Sequence, residues 1–591
     1  MKTENLFLYI SLFTCLLACD VTDRIPEDAI TDLNFWRKVD DLNMYTRTFY
    51  RIFPGPPYPG YYDMTSDIHV EIVPNNTLFD NRTVPTGSTG WAYSDWETIR
   101  RCNYFMTHYQ TVEGDQEDID HYVGENRFFR AYDYFNKVKR FGDVPWYEKD
   151  LNTNDHELLY KGRDPRLFVI GKIVEDLEFA ASNMKIPSQV QSGQLHKYVA
   201  YHMLARVCLY EATWMKYRGI GGWEDLMRKA VSAAKAVMDS GLYNIVVGVS
   251  EYTMGPDYPL NYKGQFTVED LTGNAECILP RVYIKDIAMH NLNRMGSYIG
   301  LSKDFIESFL DIEGMPIALS NVYLGDDSIH MELTNRDPRL RNIIIHRNLP
   351  NNVLDGVVRS VAYIVPGALT VTGDMNGTGY CSFKFQDIRP GQEDADQSTT
   401  DWHIFRYAET LLIYAEAKAE LGEITQDDLD ITINKLRERL DQPGQTMGRL
   451  SLDPPADPLA LVNGEPRYGY AVSPLLYEIR RERLVELCFE GFRWDDICRW
   501  KAGKLIENPK TIYGMVINDD VIEQYTRYNN NTNPFANSNL VTINDWDKTK
   551  QLLLVYPPGT TRKWNDRLYL DPLPQTETSL NPNLLPQNPG W

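Results

Sequence analysis

Few residues of this chain have the types and spacing that catalysis requires. The 591 residues contain no Gly-x-Ser-x-Gly elbow, phosphate-binding loop, dinucleotide fingerprint or His-Glu-x-x-His zinc motif. His121 and Glu125 have a spacing that could suit a metal ion, but we interpret them as a surface contact at the start of a helix. The segment 374–377 (Asp-Met-Asn-Gly) begins like a calcium loop but lacks the acidic twelfth ligand. The motifs therefore predict neither a catalytic residue nor a metal site.

Paired carboxylates are the one catalytic arrangement that the sequence leaves open. Glycoside hydrolases need two acids ~5–10 Å apart, and the sequence does not reveal such distances. With 82 acidic residues in the chain, any single pair carries no information. A surface glycoside hydrolase or lyase remains an alternative on this ground alone.

Arginine and glutamate alternate in the segment 478–499. Their helical i, i+3 and i, i+4 spacing suits ion pairs that hold helices together. A carboxylate-rich active site is the alternative interpretation. We expect the same structural role for other charged residues of the chain, namely Arg127, Arg130, Arg406 and Glu409.

The N-terminus has the organisation of a secretory signal. Lys2 precedes an apolar stretch, residues 6–17, which is too short to cross ~30 Å of hydrocarbon. Residues 16–19 (Leu-Leu-Ala-Cys) resemble the lipobox of bacterial lipoproteins. We therefore expect residues 1–18 to be a signal peptide and Cys19 to carry the lipid that attaches the chain to a membrane. An ordinary signal peptide or a buried apolar N-terminus would be the alternative.

The amino-acid composition limits the classes of molecule that the chain could bind. A net charge of −22 argues against nucleic acid and against electrostatic docking on anionic lipid. Beyond the N-terminal region, six widely spaced cysteines without a Cys-x-x-Cys motif indicate isolated buried thiols. The chain is rich in Tyr (37) and Trp (12), whose rings suit packing, interfaces and ligand stacking. Aromatic clusters in loops are therefore the ones that could bind a ligand.

Apolar residues recur at helical spacing in seven segments, which we predict to be helices: 125–140, 165–184, 196–216, 223–240, 400–421, 429–440 and 474–502. Ser473 and Pro474 supply an N-cap and a first-turn proline for the last of these. Between them lie helix-poor regions, about 50–95, 243–300, 315–400 and 505–591, with short β-like runs such as 341–346. The pattern predicts a mostly α fold of helical hairpins with a loop-rich, irregular half.

Four segments together identify a family. In chain order they are GENRFFRAY (124–132) leading to FGDVP (141–145), DIEG (311–314) with NRDPRL (335–340), FRYAE (405–409), and EGFRWDD (490–496) with Arg499-Trp500. Their order and spacing resemble the SusD/RagB family of Bacteroidetes outer-membrane lipoproteins. The resemblance covers essentially the whole mature chain, residues 19–591, which we expect to form one ligand-binding domain.

The resemblance implies a fold and a function. The fold would be mostly α, with tetratricopeptide-like helix pairs that support the irregular half. The protein would bind an oligosaccharide or polysaccharide without catalysis or a cofactor. It would be lipid-anchored in the outer membrane, facing the cell exterior, and would deliver ligand to a SusC-like TonB-dependent transporter. An oligopeptide-binding lid of the same kind is the alternative.

Loop aromatics are the candidate ligand-binding residues under this resemblance, because sugar faces stack on aromatic rings. A first group consists of Tyr58, Tyr61, Tyr62, Trp91 and Tyr93, with Asn75, Asn76 and Asn81 as polar partners. A second group consists of Tyr252, Tyr258, Tyr262, Tyr283 and Tyr298.

Overall fold

The computed structural model describes residues 35–56, 63–246, 261–291, 300–344, 350–354, 357–361, 377–387, 389, 391–392, 394–439, 447–528, 531–545 and 548–591. Within these ranges the protein is mostly α-helical with five small sheets, as the sequence predicts. Several predictions fall outside the described residues: the signal peptide 1–18, Cys19, Tyr58, Tyr61, Tyr62, Tyr252, Tyr258, Tyr298 and residues 374–376.

The α-helices of the described ranges are α1 Val39–Arg47, α2 Glu97–His108, α3 Gln116–Phe141, α4 His156–Leu159, α5 Arg166–Asn183, α6 Lys197–Lys216, α7 Trp223–Met238, α8 Asn261–Gly264, α9 Lys303–Glu307, α10 Ile329–Leu333, α11 Pro338–Ile343, α12 Tyr407–Glu420, α13 Gln426–Ile431, α14 Ile433–Arg437, α15 Pro474–Leu487, α16 Arg493–Arg499, α17 Asp519–Tyr528 and α18 Gln575–Leu580. Within the described ranges, no helix combines the length and apolar character needed to traverse a bilayer.

The strands are short, and all their pairings are antiparallel. They are β1 His69–Val70, β2 Cys277–Arg281, β3 Gly300–Leu301, β4 Pro350–Leu354, β5 Val357–Val361, β6 Trp402–Arg406, β7 Leu461–Val462, β8 Glu465–Pro466, β9 Tyr513–Val516, β10 Asn539–Asp545 and β11 Lys548–Leu554. The described pairs are β1 with β3, β2 with β6, β4 with β5 and β7 with β8, and the largest described sheet has the order β10-β11-β9.

Helices α2, α3, α5, α6 and α7 pack one against the next and form the helical half. The 26-residue α3 is its central member, with Phe128, Phe129 and Phe135 buried in the main apolar core. Asp115 caps its N-terminus by accepting a hydrogen bond from the Glu117 amide at 2.9 Å. The four helices predicted between residues 125 and 240 are confirmed, although α3 begins nine residues earlier than predicted.

The predicted helix 400–421 is wrong at its start. Residues Trp402–Arg406 form β6 and pair with β2, so that Phe405 lies opposite Leu279. Aromatic and β-branched residues favour a strand here, and pairing satisfies backbone groups that would otherwise be buried without partners. The helix proper, α12, begins only at Tyr407.

The predicted helix 474–502 consists of two helices. Ser473 caps α15 as predicted, but α15 ends at Leu487. Phe489 and Gly491 then take left-handed conformations, with φ of +64° and +88°, before α16. The break exposes two backbone amides, Gly491 and Arg493, to the Asp63 carboxylate at 3.4 and 3.0 Å. Tertiary hydrogen bonds thus replace the missing helical ones.

Two shorter predictions are wrong in part, and Leu440 and residues 345–346 lie outside the described residues. The segment 429–440 falls on two short helices, α13 and α14, which are separated at Thr432 by non-helical backbone. The β-like run 341–346 begins in a helix, because α11 extends to Ile343, and Ile344 then forms an isolated antiparallel bridge with Ser382. The Asp337 carboxylate caps α11 by accepting from the Arg339 amide at 3.0 Å, and Pro338 occupies the first helical position.

Buried ion pairs join elements that are far apart in the chain. Arg406 lies at the centre, with Nε 2.6 Å from Glu490 and Nη1 2.9 Å from Glu276 and 2.8 Å from Glu486. Similar buried pairs link Arg493 to Asp67 and Arg499 to Glu416, and Arg130 pairs with Asp176. The structural interpretation of the arginine-glutamate motifs is therefore confirmed.

The partners, however, are mostly not the helical neighbours that the spacing predicts. Arg480 pairs with Glu420 at 3.1 Å, and Arg483 pairs with Asp496 at 2.9 Å. Only a minority are local, such as Arg481 with Glu478 at 3.3 Å. These side chains therefore act between elements and not along one helix.

The loop-rich half has its own apolar core around Phe305, Phe309 and Phe489. Helix α15 contributes to both cores, because Ile479 packs in the helical core and Val485 in the other. One helix thus belongs to both halves.

Candidate functional site

A cavity of about 700 Å³ opens between three stretches that are far apart in sequence. Its walls come from residues 91–103 around the start of α2, residues 145–159 after α3, and residues 577–584 near the C-terminus. Small-molecule sites typically occupy ~300–1,000 Å³ and combine aromatic walls with a few polar groups. The size and position of the cavity make it a candidate ligand site.

Aromatic rings form one side of the cavity. Trp91 is only 7 % exposed, and its ring packs edge-on against Trp96 at a centroid distance of 5.3 Å and against Phe141 at 4.9 Å. Tyr147 extends this surface, with its ring 6.1 Å from that of Trp96. These contacts connect the cavity wall to the core, so the rings are held in place before any ligand arrives.

Tyr93 presents its ring to solvent, with 70 % of the residue exposed. The turn that carries it is fixed because the Asp95 carboxylate accepts a hydrogen bond from the Ala92 amide at 2.8 Å. Arg100 lies 5.7 Å from the Tyr93 ring centroid, and its Nη1 donates to the Tyr93 hydroxyl. Tyr93 is thus an exposed aromatic face whose orientation is fixed, as a stacking platform requires.

Polar groups stand beside this ring. Arg100 Nε donates to Asp150 Oδ1 at 3.1 Å, and this hydrogen bond raises the pKa of Arg100. The Asn152 amide and the Thr153 hydroxyl are exposed on the same wall. Together they offer donors and acceptors next to an aromatic surface.

Asn103 positions the second wall without facing solvent itself. Its Nδ2 donates to the carbonyls of Tyr147 at 2.8 Å and Lys149 at 3.4 Å. Its Oδ1 accepts from Arg130 at 3.0 Å, and the residue is 1 % exposed. Asn103 therefore ties the loop after α3 to α2.

The C-terminal segment closes the third side. The Gln575 amide donates to the Pro85 carbonyl at 2.9 Å, and Asn581 Nδ2 donates to the Lys161 carbonyl at 3.0 Å. Arg163 Nε donates to the Leu584 carbonyl at 3.0 Å, and its Nη1 donates to Asn588 at 2.8 Å. We call residues 573–588 the C-terminal strap, because these bonds hold it across the cavity.

Burial raises the pKa of Tyr147 to about 12, and the nearby Asp164 carboxylate adds to the rise. The Tyr147 phenol is therefore protonated at neutral pH. It is available as a neutral hydroxyl on the cavity wall.

Trp91 and Tyr93, two of the sequence-predicted residues, line this cavity. They differ in accessibility, since Trp91 lies mostly within the core. Their contact with a ligand stays a prediction, which we develop below.

The predicted asparagines lie elsewhere, in a turn that does not line this cavity. Asn75 Oδ1 accepts from the Thr77 amide at 2.9 Å, which stabilises the turn. Asn76 and Asn81 are exposed, and the Asn81 amide donates to the Asn76 carbonyl at 2.8 Å.

The described tyrosines of the second group are buried. Tyr283 is 9 % exposed, and its ring meets that of His290 edge-on at 4.7 Å. Its hydroxyl lies so close to Gly55 that a Cβ atom there would be 3.0 Å away. Tyr262 is 1 % exposed and donates to the Glu486 carbonyl, so it packs in the core.

Apart from Trp91 and Tyr93, sequence reasoning missed the residues that line the cavity as ligand-site candidates, among them Trp96, Arg100, Tyr147 and Asp150. Trp96 and Arg100 stand four residues apart around the start of α2, a spacing that places both on one side. Tyr147 and Asp150 follow Pro145, and only the fold brings them opposite α2.

The interpretation of His121 and Glu125 as a surface contact is wrong. Both side chains are buried, and His121 Nε2 lies 3.8 Å from Glu125 Oε1. Across the ranges described above, no group of three His, Cys, Asp or Glu residues could hold a metal ion.

Comparison with known families decides the assignment. Residues 285–591, slightly more than half of the chain, match the model of the SusD family. This chain belongs to the SusD family. The family assignment predicted from the four sequence segments is confirmed.

Similar proteins extend the SusD likeness to most of the chain. SusD-like protein P2 of Formosa agariphila is 22 % identical over 88 % of this chain and 83 % of its own length. SusD-like protein P38 of the same organism is 22 % identical over 86 % and 93 %.

Solved structures share the fold. A SusD-like carbohydrate-binding protein of Bacteroides fragilis has a TM-score of 0.68 and 21 % identity, with 93 % of this chain and all of that chain covered. A laminarin-binding SusD-like protein has a TM-score of 0.52 and 17 % identity, with 94 % and 100 % covered. The predicted SusD-like, mostly α fold is therefore confirmed.

Proposed function

We propose that this protein binds an oligosaccharide or polysaccharide in the cavity beside Tyr93, at the cell surface and without catalysis. The single observation that carries the proposal is the exposed Tyr93 ring, held by its contacts with Arg100 on the wall of a 700 Å³ cavity. An exposed aromatic face usually costs free energy in water, and a sugar ring would cover it.

The geometry suits a sugar in two ways. The apolar C–H face of a pyranose would stack on Tyr93, whose ring needs no reorientation. The hydroxyl groups at the sugar's edge would bond to Asp150, Asn152 and Thr153, which stand on the neighbouring wall. Arg100 keeps Asp150 ion-paired, so this carboxylate serves as a hydrogen-bond acceptor.

Family likeness supports the same ligand class. One similar structure is described as a carbohydrate-binding protein and another as laminarin-binding. We extend carbohydrate binding, and no particular sugar, from these proteins to this chain.

We further propose that the protein works beside a SusC-like TonB-dependent transporter, lipid-anchored through Cys19 in the outer membrane and facing the exterior. Support comes from the lipobox-like residues 16–19 and from SusD family membership. The full chain, used as bait on an outer-membrane extract of its host, should capture a large β-barrel of the TonB-dependent class. Capture of no such barrel would contradict the partnership.

Affinity electrophoresis tests ligand binding directly. The purified chain should be retarded in gels that contain one of laminarin, starch, xylan, mannan or galactan, and should release no reducing ends from it. A chain that no polysaccharide retards would contradict the proposal. Binding to an oligopeptide library in place of glycans would favour the peptide alternative, and release of reducing ends would favour a hydrolase or lyase.

A further inference from the structure

The charged side chains on the cavity walls carry an inference about ligand chemistry, which rests on the proposed function. The walls contain two cations, Arg100 and Lys149, and two carboxylates, Asp150 and Glu577. We propose that the cavity selects uncharged glycans and discriminates against chains that bear uronate or sulfate groups.

Both cations are already paired with carboxylates of the protein. Arg100 Nε lies 3.1 Å from Asp150, and Lys149 Nζ lies 2.6 Å from Asp155. A carboxylate or sulfate on a sugar would have to displace these partners. The charge-assisted hydrogen bonds that an anionic sugar would gain are therefore offset by the internal ion pairs that it breaks.

A further cation, Lys161 behind Tyr147, is paired as well. Lys161 Nζ lies 5.6 Å from the Tyr147 ring centroid and forms an ion pair with Asp164 at 2.6 Å. It therefore provides no unmatched positive charge near the ligand.

Glu577 adds a negative charge to the cavity walls. It stands half-buried on the C-terminal strap, and none of the described residues forms an ion pair with it. Arg100 with Asp150 and Lys149 with Asp155 form two neutral pairs, so Glu577 is the charge on the walls that these pairs do not balance. The net charge of −22 on the whole chain adds a repulsive field for any polyanion.

The same carboxylates favour a neutral sugar. Ionised Asp and Glu side chains only accept hydrogen bonds, and the hydroxyl groups of an unmodified sugar donate them. Asp150 and Glu577 would thus bind hydroxyl groups and repel anionic substituents. The same carboxylates that bind the hydroxyl groups therefore also disfavour charged sugars.

Matched glycans test this selectivity. Laminarin, starch, xylan and mannan would each be offered in native, sulfated and O-methylated form at equal degrees of substitution, in 50 and 500 mM NaCl. We expect a native form to bind at least tenfold more tightly than its sulfated form in 50 mM NaCl, with the ratio shrinking in 500 mM NaCl. The O-methylated form controls for the loss of hydroxyl groups and should show no salt dependence.

A charge variant at the strap sharpens the test. Glu577→Lys should lower the native-to-sulfated affinity ratio several-fold in 50 mM NaCl, whereas Glu577→Gln should lower it less. An unchanged ratio in both variants would overturn the role of Glu577.

The outcomes separate the two proposals. If only sulfated or uronate-containing glycans bind, and Tyr93→Ala abolishes that binding, the glycan-binding function stands and the selectivity for neutral sugars is wrong. If no glycan binds in any form, both proposals fail.

Discussion

At the residue scale, Trp91 and Tyr93 show how neighbours in one loop acquire different roles. They stand two positions apart in a turn, yet Trp91 is 7 % exposed and Tyr93 is 70 % exposed. Trp91 packs against the core through Trp96 and Phe141, while Tyr93 faces solvent under Arg100. Trp91 therefore supports the wall, and Tyr93 is the ring that a ligand can cover.

Tyr93→Ala is expected to weaken glycan binding about tenfold, because one stacking ring contributes ~1 kcal/mol or slightly more. The melting temperature should not change, since the side chain is exposed. Affinity electrophoresis or calorimetry measures the first effect, and differential scanning fluorimetry measures the second. Phe168→Ala is the matched control, because Phe168 is an exposed ring (48 %) that does not line the cavity. Equal binding by both variants would exclude Tyr93 from the site.

Glu125 gives the protein a pH-dependent stability. Burial raises its pKa to about 7, and the carboxyl group accepts a hydrogen bond from the Tyr50 hydroxyl at 2.8 Å. The folded state therefore holds this proton more tightly than the unfolded chain does. The contribution to stability is fully present below the unfolded pKa of ~4.5 and is lost as the pH rises through 7.

Glu125→Gln removes this titration while keeping an acceptor for Tyr50. The parent loses this contribution between pH 5 and pH 8, whereas the variant has no such group to titrate. Relative to the parent, the variant should therefore have a free energy of unfolding about 2 kcal/mol higher at pH 8 than at pH 5. Urea denaturation at the two pH values measures it. Glu117→Gln, an exposed position on the same helix, should show no such difference. A pH-independent difference for Glu125→Gln would contradict the prediction.

Arg499 tests the buried ion pairs. Its Nη2 lies 2.7 Å from Glu416 Oε2 and its Nε 2.9 Å from Asp496, with both partners buried. Arg499→Leu should lower the free energy of unfolding by ~3–5 kcal/mol, because it leaves the buried Glu416 carboxylate without its cation. Lys435→Ala, which breaks an exposed pair with Glu438, should cost less than ~1 kcal/mol. Similar losses of unfolding free energy in both variants would show that burial of an ion pair does not determine how much its removal destabilises the protein.

At the element scale, the C-terminal strap supplies one of the three walls of the cavity. It carries Glu577, Asn581 and Leu584 to the wall, although its regular structure is limited to the short helix α18 and one 3₁₀ turn, Pro582–Leu584. Its position is fixed by hydrogen bonds to the Pro85 carbonyl and to Arg163. The wall is thus built by contacts between segments and not by a regular element.

Arg163→Ala removes the bonds to Leu584 and Asn588. We expect faster hydrogen exchange in residues 573–588 and several-fold weaker glycan binding, while exchange in α3 stays unchanged. Exchange monitored by mass spectrometry localises the effect. Lys172→Ala, which removes exposed pairs only, is the control. Unaltered exchange in the strap would contradict its anchoring by Arg163.

At the scale of the whole molecule, two apolar cores share one set of buried ion pairs. Helix α15 packs in both cores, and Arg406 of β6 pairs with Glu276, Glu486 and Glu490. Separating the two cores would expose these charges without partners, because Arg406 follows Phe405 of the first core and Glu486 follows Val485 of the second. We therefore propose that the mature chain forms a single domain, as the sequence predicts.

Calorimetric unfolding should show one transition, with equal calorimetric and van't Hoff enthalpies. The physical reason is that both cores pack against α15, so unfolding of one core displaces α15 and disrupts the other. Two resolved transitions would contradict the single domain.

The sequence by itself determined the features that depend on local periodicity. The bounds of α5, α6 and α7 follow from apolar residues at i, i+3 and i+4, because one helix face must be buried whatever it packs against. The family was equally readable, since its motifs are contiguous segments such as 490–496. The structural role of the arginines also followed from residue types and spacing.

Only the tertiary structure decided which partners those residues have. Residues 402–406 form a strand because β2 is beside them, and the helix after Leu487 breaks because Asp63 supplies other acceptors. The cavity joins Tyr93, Tyr147 and Glu577, whose separation along the chain leaves no local pattern. Burial of Trp91 and exposure of Tyr93 likewise depend on long-range packing, which periodicity does not encode.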